Sequence, residues 1–211
     1  MCFSAGASFI ASGGIGALAA GSFIRAKKRE LLLAAIPLVF ALQQLIEGFQ
    51  WLTVKPSIES VVLGYAFLFF AFLFWPTYIP FVAWRLEQNK KRREFLTIFL
   101  ILGVAVSLYL LAILILYPLT VQVISHHIAY HIPFPLREHG VLIYIATVTF
   151  APILSTNRYF KWFGLAVLFS VLISWQFYYA AFTSVWCFFA AILSGGIWFY
   201  LGLQKRPTAK K

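Results

Sequence analysis

The chain has 211 residues, of which 62% are hydrophobic, 19% aromatic and only 11% charged, whereas soluble domains run about 45–50% apolar and about 25% charged. That composition excludes a water-soluble globule and indicates a membrane protein, read as one transmembrane unit over residues 1–211 because the apolar stretches leave no room for a separate soluble domain. Net charge is +11 with six acidic residues, all Glu, which removes Asp dyads, Ser-His-Asp triads and Asp-rich cation sites from consideration.

The expected fold is all-α, a polytopic bundle of about seven transmembrane helices. The first expected span, 7–24, carries Gly13, Gly14, Gly16 and Gly21 and should pack closely against a neighbour. Its basic cluster follows the apolar run instead of preceding it, which argues against a cleavable signal peptide. The second, 31–53, places Gln43, Gln44, Glu47, Gln50 and Trp51 within an arc of roughly 120° on one helix face. The third, 61–84, contains Pro76 and Pro80 and should kink. The fourth is expected over 95–117, and spans five to seven over 139–155, 162–180 and 185–203.

Orientation follows from charge. Arg25, Lys27, Lys28 and Arg29, then Arg85 and Lys90 to Arg93, then Arg158 and Lys161, then Lys205, Arg206, Lys210 and Lys211 all fall on one side, with Lys55 and Arg137 opposite. The positive-inside rule then puts the N-terminus outside and the C-terminus in the cytosol, with the basic clusters serving topology and anionic lipid rather than nucleic acid. The expected partner is the lipid bilayer, and the expected location is the plasma (inner) membrane.

Candidate chemistry gathers at the outer end. Glu47 lies about two turns inside the second span, where a carboxylate is costly unless it faces the bundle interior. It serves either as helix glue or as the centre of a polar binding site with Gln43, Gln50, Trp51, His127 and Gln176. All four histidines, His126, His127, His131 and His139, fall in or next to the outer segment 118–138. Its alternation of Val121, Val123 and Ser125, then Ile128 and Tyr130, suggests a short hairpin over the bundle mouth. His127 and His131 are four apart and could share a face, a partial site for Zn or Cu. Cys2 and Cys187 both belong to the outer side and form either a disulfide or two thiols.

The segments Met1-Cys2-Phe3-Ser4-Ala5, Gln43-Gln44-Leu45-Ile46-Glu47-Gly48, Trp75-Pro76-Thr77-Tyr78-Ile79-Pro80, His127-Ile128-Ala129-Tyr130 and Trp186-Cys187-Phe188-Phe189 resemble a family of uncharacterised bacterial membrane proteins that begin Met-Cys-Phe-Ser. The resemblance spans the chain and implies about seven helices and a domain of unknown function. Cys2, Glu47, His127 and Cys187 match its pattern, while His126 and His131 are features of this member. In architecture alone the chain is also similar to seven-helix alkaline ceramidase and adiponectin-receptor-like hydrolases, but it lacks their Asp and their separately placed histidines.

Three functions are therefore expected in competition. One is a binding protein (sensor, transporter or assembly factor) that takes a small ligand or ion in an extracytoplasmic polar cavity. The second is a metal-dependent intramembrane hydrolase with Glu47 as general base. The third is a purely structural membrane protein.

Overall fold

The computed structural model describes residues 4–53, 57–124, 126–133 and 137–204. Among these, helices α1 (Ala5–Arg25) and α2 (Leu31–Leu52) come first. A third rod follows, made of α3 (Ile58–Leu68), a π-type turn (Phe69–Phe74) and α4 (Trp75–Leu86). Then come α5 (Lys90–Leu116), the strands β1 (Thr120–Ile124) and β2 (His127–His131), α6 (Arg137–Leu154) and α7 (Arg158–Phe177). A last rod consists of α8 (Phe182–Ser194) and α9 (Gly196–Gln204). Six helical segments of the described chain are long and apolar enough to cross a membrane. The apolar part of α6, His139–Leu154, is shorter, so the expected span over 139–155 is the one that falls below the usual crossing length of about 17–25 residues.

Helix starts lie where polar side chains cap them. Asn89 Oδ1 accepts from Arg92 N at 3.1 Å and Asn157 Oδ1 from Phe160 N at 3.0 Å. These caps begin α5 and α7 several residues before the apolar runs at 95 and 162, drawing the basic residues into the first helical turns. The exterior is apolar: Ile24, Ile101, Leu116, Phe169 and Phe199 are all exposed, as contact with lipid chains requires. The interior inverts the soluble pattern, since Gln43, Gln44, Glu47 and Gln50 are all fully buried.

The expected kink in the third rod takes a specific form. Pro76 has no N–H and Pro80 lacks another, so the carbonyls upstream lose donors, and the chain widens to the π-type turn, with Trp75 N donating to the Phe70 carbonyl. Neighbouring helices supply the missing donors. Tyr144 Oη donates to the Ala71 carbonyl at 2.7 Å and Ser107 Oγ to the Leu73 carbonyl at 2.9 Å. A Cβ on Gly103 would stand 1.9 Å from the Pro76 carbonyl oxygen; only glycine lets α5 approach so closely.

The two ends of the bundle differ in chemistry. At one end the connections at 26–30, 87–89 and 155–157 meet around a polar recess of about 380 Å³ lined by Arg29, Glu30, Glu87, Asn89, Asn157 and Tyr200, among others. Glu87 ties two of these loops together. It accepts from Asn89 N at 2.9 Å, Thr156 N at 2.8 Å and Thr156 Oγ1 at 3.0 Å. Burial pushes its carboxyl up, but these donors outweigh burial and hold it below the usual range. At the other end β1 and β2 form the expected hairpin, antiparallel with Val123 opposite Ile128 and Ile124 opposite His127. His126 in the turn adopts φ 62°, the left-handed conformation that tight hairpin turns demand.

Candidate functional site: a buried polar face beside an aromatic cavity

The polar arc of α2 becomes a set of specific contacts with three other elements. Gln43 Oε1 accepts from Trp75 Nε1 at 2.7 Å, and Trp75 is itself stacked on Phe40 with centroids 3.8 Å apart. Gln50 Nε2 donates to Ser60 Oγ at 2.8 Å. Glu47 Oε1 accepts from the Ser184 hydroxyl of α8 in a short hydrogen bond. Gly48, next in sequence, leaves the space taken by the Phe9 ring, since a Cβ there would stand 2.5 Å from it. α1 therefore packs closely at the level of Glu47. Gln44 differs: its buried amide meets no hydrogen-bond partner among the described residues.

Ser184 leads from this polar face to a cavity. Thr183 precedes it in sequence and Cys187 lies one turn further along α8, and both line a space of about 80 Å³ between α6, α7, α8 and the third rod. That is several times the space one water requires. Most of the wall is aromatic. Tyr130, Tyr144, Trp175, Tyr179, Phe182 and Trp186 line it, linked edge-to-face or tilted from Tyr179 to Trp175 (5.1 Å), Trp175 to Phe182 (5.7 Å), Phe182 to Trp186 (5.3 Å) and Trp186 to Tyr144 (5.5 Å). A smaller cavity of about 30 Å³ lies against the same Tyr144, Trp186 and Cys187 and reaches Trp75, the partner of Gln43.

The hairpin forms the lid. Ile128 and Ala129 are buried, and Tyr130 both lines the cavity and stacks on Phe67 at 4.6 Å. His127 is buried edge-on against Tyr178 at 4.9 Å. Burial lowers its pKa, with the neighbouring His126 adding to the effect, so the ring favours its neutral form.

The expected residues thus separate. Glu47, Gln43 and Gln50 share the buried face, and His127 sits in the lid over the same end of the bundle. Trp51 is half-buried with its indole N–H unpartnered among the described residues. Gln176 is exposed on α7 and is not among the cavity-lining residues. His131 is exposed on β2 while His127 is buried, and among the described residues no three His, Cys, Asp or Glu are grouped to hold a metal ion. Cys187 is buried and has no disulfide partner among the described residues; Cys2 lies outside them. Sequence reasoning missed the aromatic wall, above all Tyr144 and Trp186. The one available signal was Pro76, whose missing N–H calls for an outside donor of the kind Tyr144 supplies.

No curated protein and no solved structure matches this chain. The model of a family of unknown function, DUF6629, matches residues 1–211, and the chain belongs to that family.

Proposed function

We propose that this protein is a polytopic membrane protein of the plasma membrane that binds a small ligand in the aromatic cavity, with the Glu47 face of α2 behind its α8 wall. The N-terminus and hairpin face outward and the basic loops face the cytosol, with α6 as a seventh, shorter crossing. One observation carries the reading. A fully buried carboxylate is held by Ser184, between the two cavity-lining residues Thr183 and Cys187, an arrangement in which a costly group is tied to the helix that walls a space a ligand can enter. Ligand sites of this kind are mostly apolar with a few placed polar groups.

Cys187 reports on the cavity directly. In a Cys2→Ser background it is the sole thiol, because the chain has two cysteines. Methyl methanethiosulfonate should then modify Cys187 in the folded, detergent-solubilised protein, read as a mass shift. If Cys187 reacts only after unfolding, and a Thr183→Cys thiol on the same wall does so too, the cavity is removed as a binding site. Orientation is checked separately, by a C-terminal green fluorescent fusion that should be bright and an alkaline phosphatase fusion that should be inactive.

A further inference from the structure

We propose that the ligand class of this cavity is an organic ammonium ion with a small apolar body, an inference that rests on the cavity being a ligand site. Among the described residues the wall contains no Lys, Arg, Asp or Glu. It is dominated by Tyr and Trp rings, whose faces carry negative quadrupole potential and attract cations, quaternary ammonium groups above all. The rings meet edge-to-face or tilted, not as a flat stack, so successive rings along the wall differ in orientation. Behind the wall, among the described residues, a charge-bearing side chain is tied to it: Glu47, bound to Ser184 between Thr183 and Cys187. Ring faces and a carboxylate are complementary to a positive ligand and unfavourable to an anion.

Access fits the same chemistry. Trp175 and Tyr179, at the α7–α8 connection, are 43% and 52% exposed, whereas Trp186 deeper in the wall is 6% exposed. An amphiphilic cation therefore meets an exposed aromatic rim before a buried aromatic floor. The groups facing the floor are Tyr144, held by its bond to the Ala71 carbonyl, and Cys187. Neither carries a positive charge to compete with the ligand.

The test uses purified protein in lipid nanodiscs, with intrinsic tryptophan fluorescence as readout and two probes of nearly equal shape, choline and its uncharged carbon isostere 3,3-dimethylbutan-1-ol. Choline should bind about tenfold more tightly than the isostere, the scale of one desolvated cation–π contact. Glu47→Gln retains an oxygen acceptor for Ser184, so the fold is expected to persist. It should weaken choline about tenfold and leave the isostere unchanged. Trp175→Phe, at a half-exposed position, provides a second variant and should weaken choline more than the isostere. If the isostere binds as well as choline, or if Glu47→Gln leaves choline affinity intact, the cationic class is overturned while the cavity reading stands. If neither probe binds and neither Cys187 nor the Thr183→Cys thiol reacts in the folded protein, both readings fall.

Discussion

Replacing Gly103 by alanine tests the close approach of α5 to the third rod. A Cβ built there stands 1.9 Å from the Pro76 carbonyl oxygen and 3.0 Å from its carbon. An unstrained C···O contact needs roughly 3.3 Å, so α5 and the third rod must separate by about 1.4 Å at this level. A gap of about 0.5–1 Å already forfeits a quarter to a half of each dispersion contact. The separation also stretches the Thr77–Ser107 hydroxyl contact at 2.8 Å and the bond from Ser107 to the Leu73 carbonyl at 2.9 Å. Overpacking of this kind costs about 1–3 kcal/mol or more, against at most about 1 kcal/mol gained from alanine's better helix propensity. The net expectation is a loss of about 1–3 kcal/mol. Gly13 is the control, because no heavy atom lies within 4 Å of a Cβ placed there; Gly13→Ala should be neutral or stabilising by up to about 1 kcal/mol. Unfolding by sodium dodecyl sulfate in mixed micelles, followed by tryptophan fluorescence, measures both. If Gly103→Ala is as stable as wild type, or if the two variants shift in the same direction, the close approach is not what holds the third rod in place.

Four further outcomes follow from named contacts. Tyr144→Phe removes the donor to the Ala71 carbonyl and should cost about 1–3 kcal/mol in the same assay, because a buried acceptor is left unmade. His126 sits at φ 62°; His126→Val should destabilise the hairpin by about 1–2 kcal/mol, while Asn, which tolerates this conformation, should be neutral, as read by hydrogen exchange across β1 and β2. Glu87, held below its usual range by donors from Asn89 and Thr156 against the opposing effect of burial, stabilises the fold at pH above the unfolded value of about 4.3. That contribution is lost as pH falls through the lowered native value, so thermal unfolding midpoints should drop on acidification, and Glu87→Gln should lower the neutral midpoint and flatten the acid limb. Gln44→Leu removes an amide that meets no partner among the described residues and should raise stability by about 1–3 kcal/mol, where a role as helix glue requires a loss.

The helical framework was legible because hydrocarbon imposes a long apolar period that few sequences can hide. The boundaries were less so. Asn89 and Asn157 begin their helices ahead of the apolar runs, and a capping residue surrounded by charge looks like loop to a hydropathy reading. The hairpin could be read from the alternation of Val121 and Val123, since a period of two needs no tertiary information. The polar arc of α2 was visible for the same reason: helical geometry alone puts Gln43, Glu47 and Gln50 on one face. What that arc would meet was not visible. Ser184 lies 137 positions from Glu47, and no local pattern encodes a pairing at that range. Gln176 shows the converse error, a polar residue in an apolar helix that reads as buried but lies exposed beside Trp175 on α7.

The energetics of α2 separate stability from purpose. Interhelical hydrogen bonds in membranes average only about 0.6 kcal/mol each, so the bonds Gln43 makes to Trp75 and Gln50 to Ser60 repay little of the cost of burying amides. Gln44 repays none of it, having no hydrogen-bond partner among the described residues. A bundle selected for stability alone would fill this arc with leucine, because apolar replacements of buried polar groups are often neutral or stabilising. The arc instead turns one carboxylate toward α8, where it bonds Ser184 between the cavity-lining Thr183 and Cys187, and the hairpin's Tyr130 reaches the same space. On the proposed reading, the arc is retained for Glu47, bonded to Ser184 beside the cavity, because the bonds its amides make to Trp75 and Ser60 add little stability.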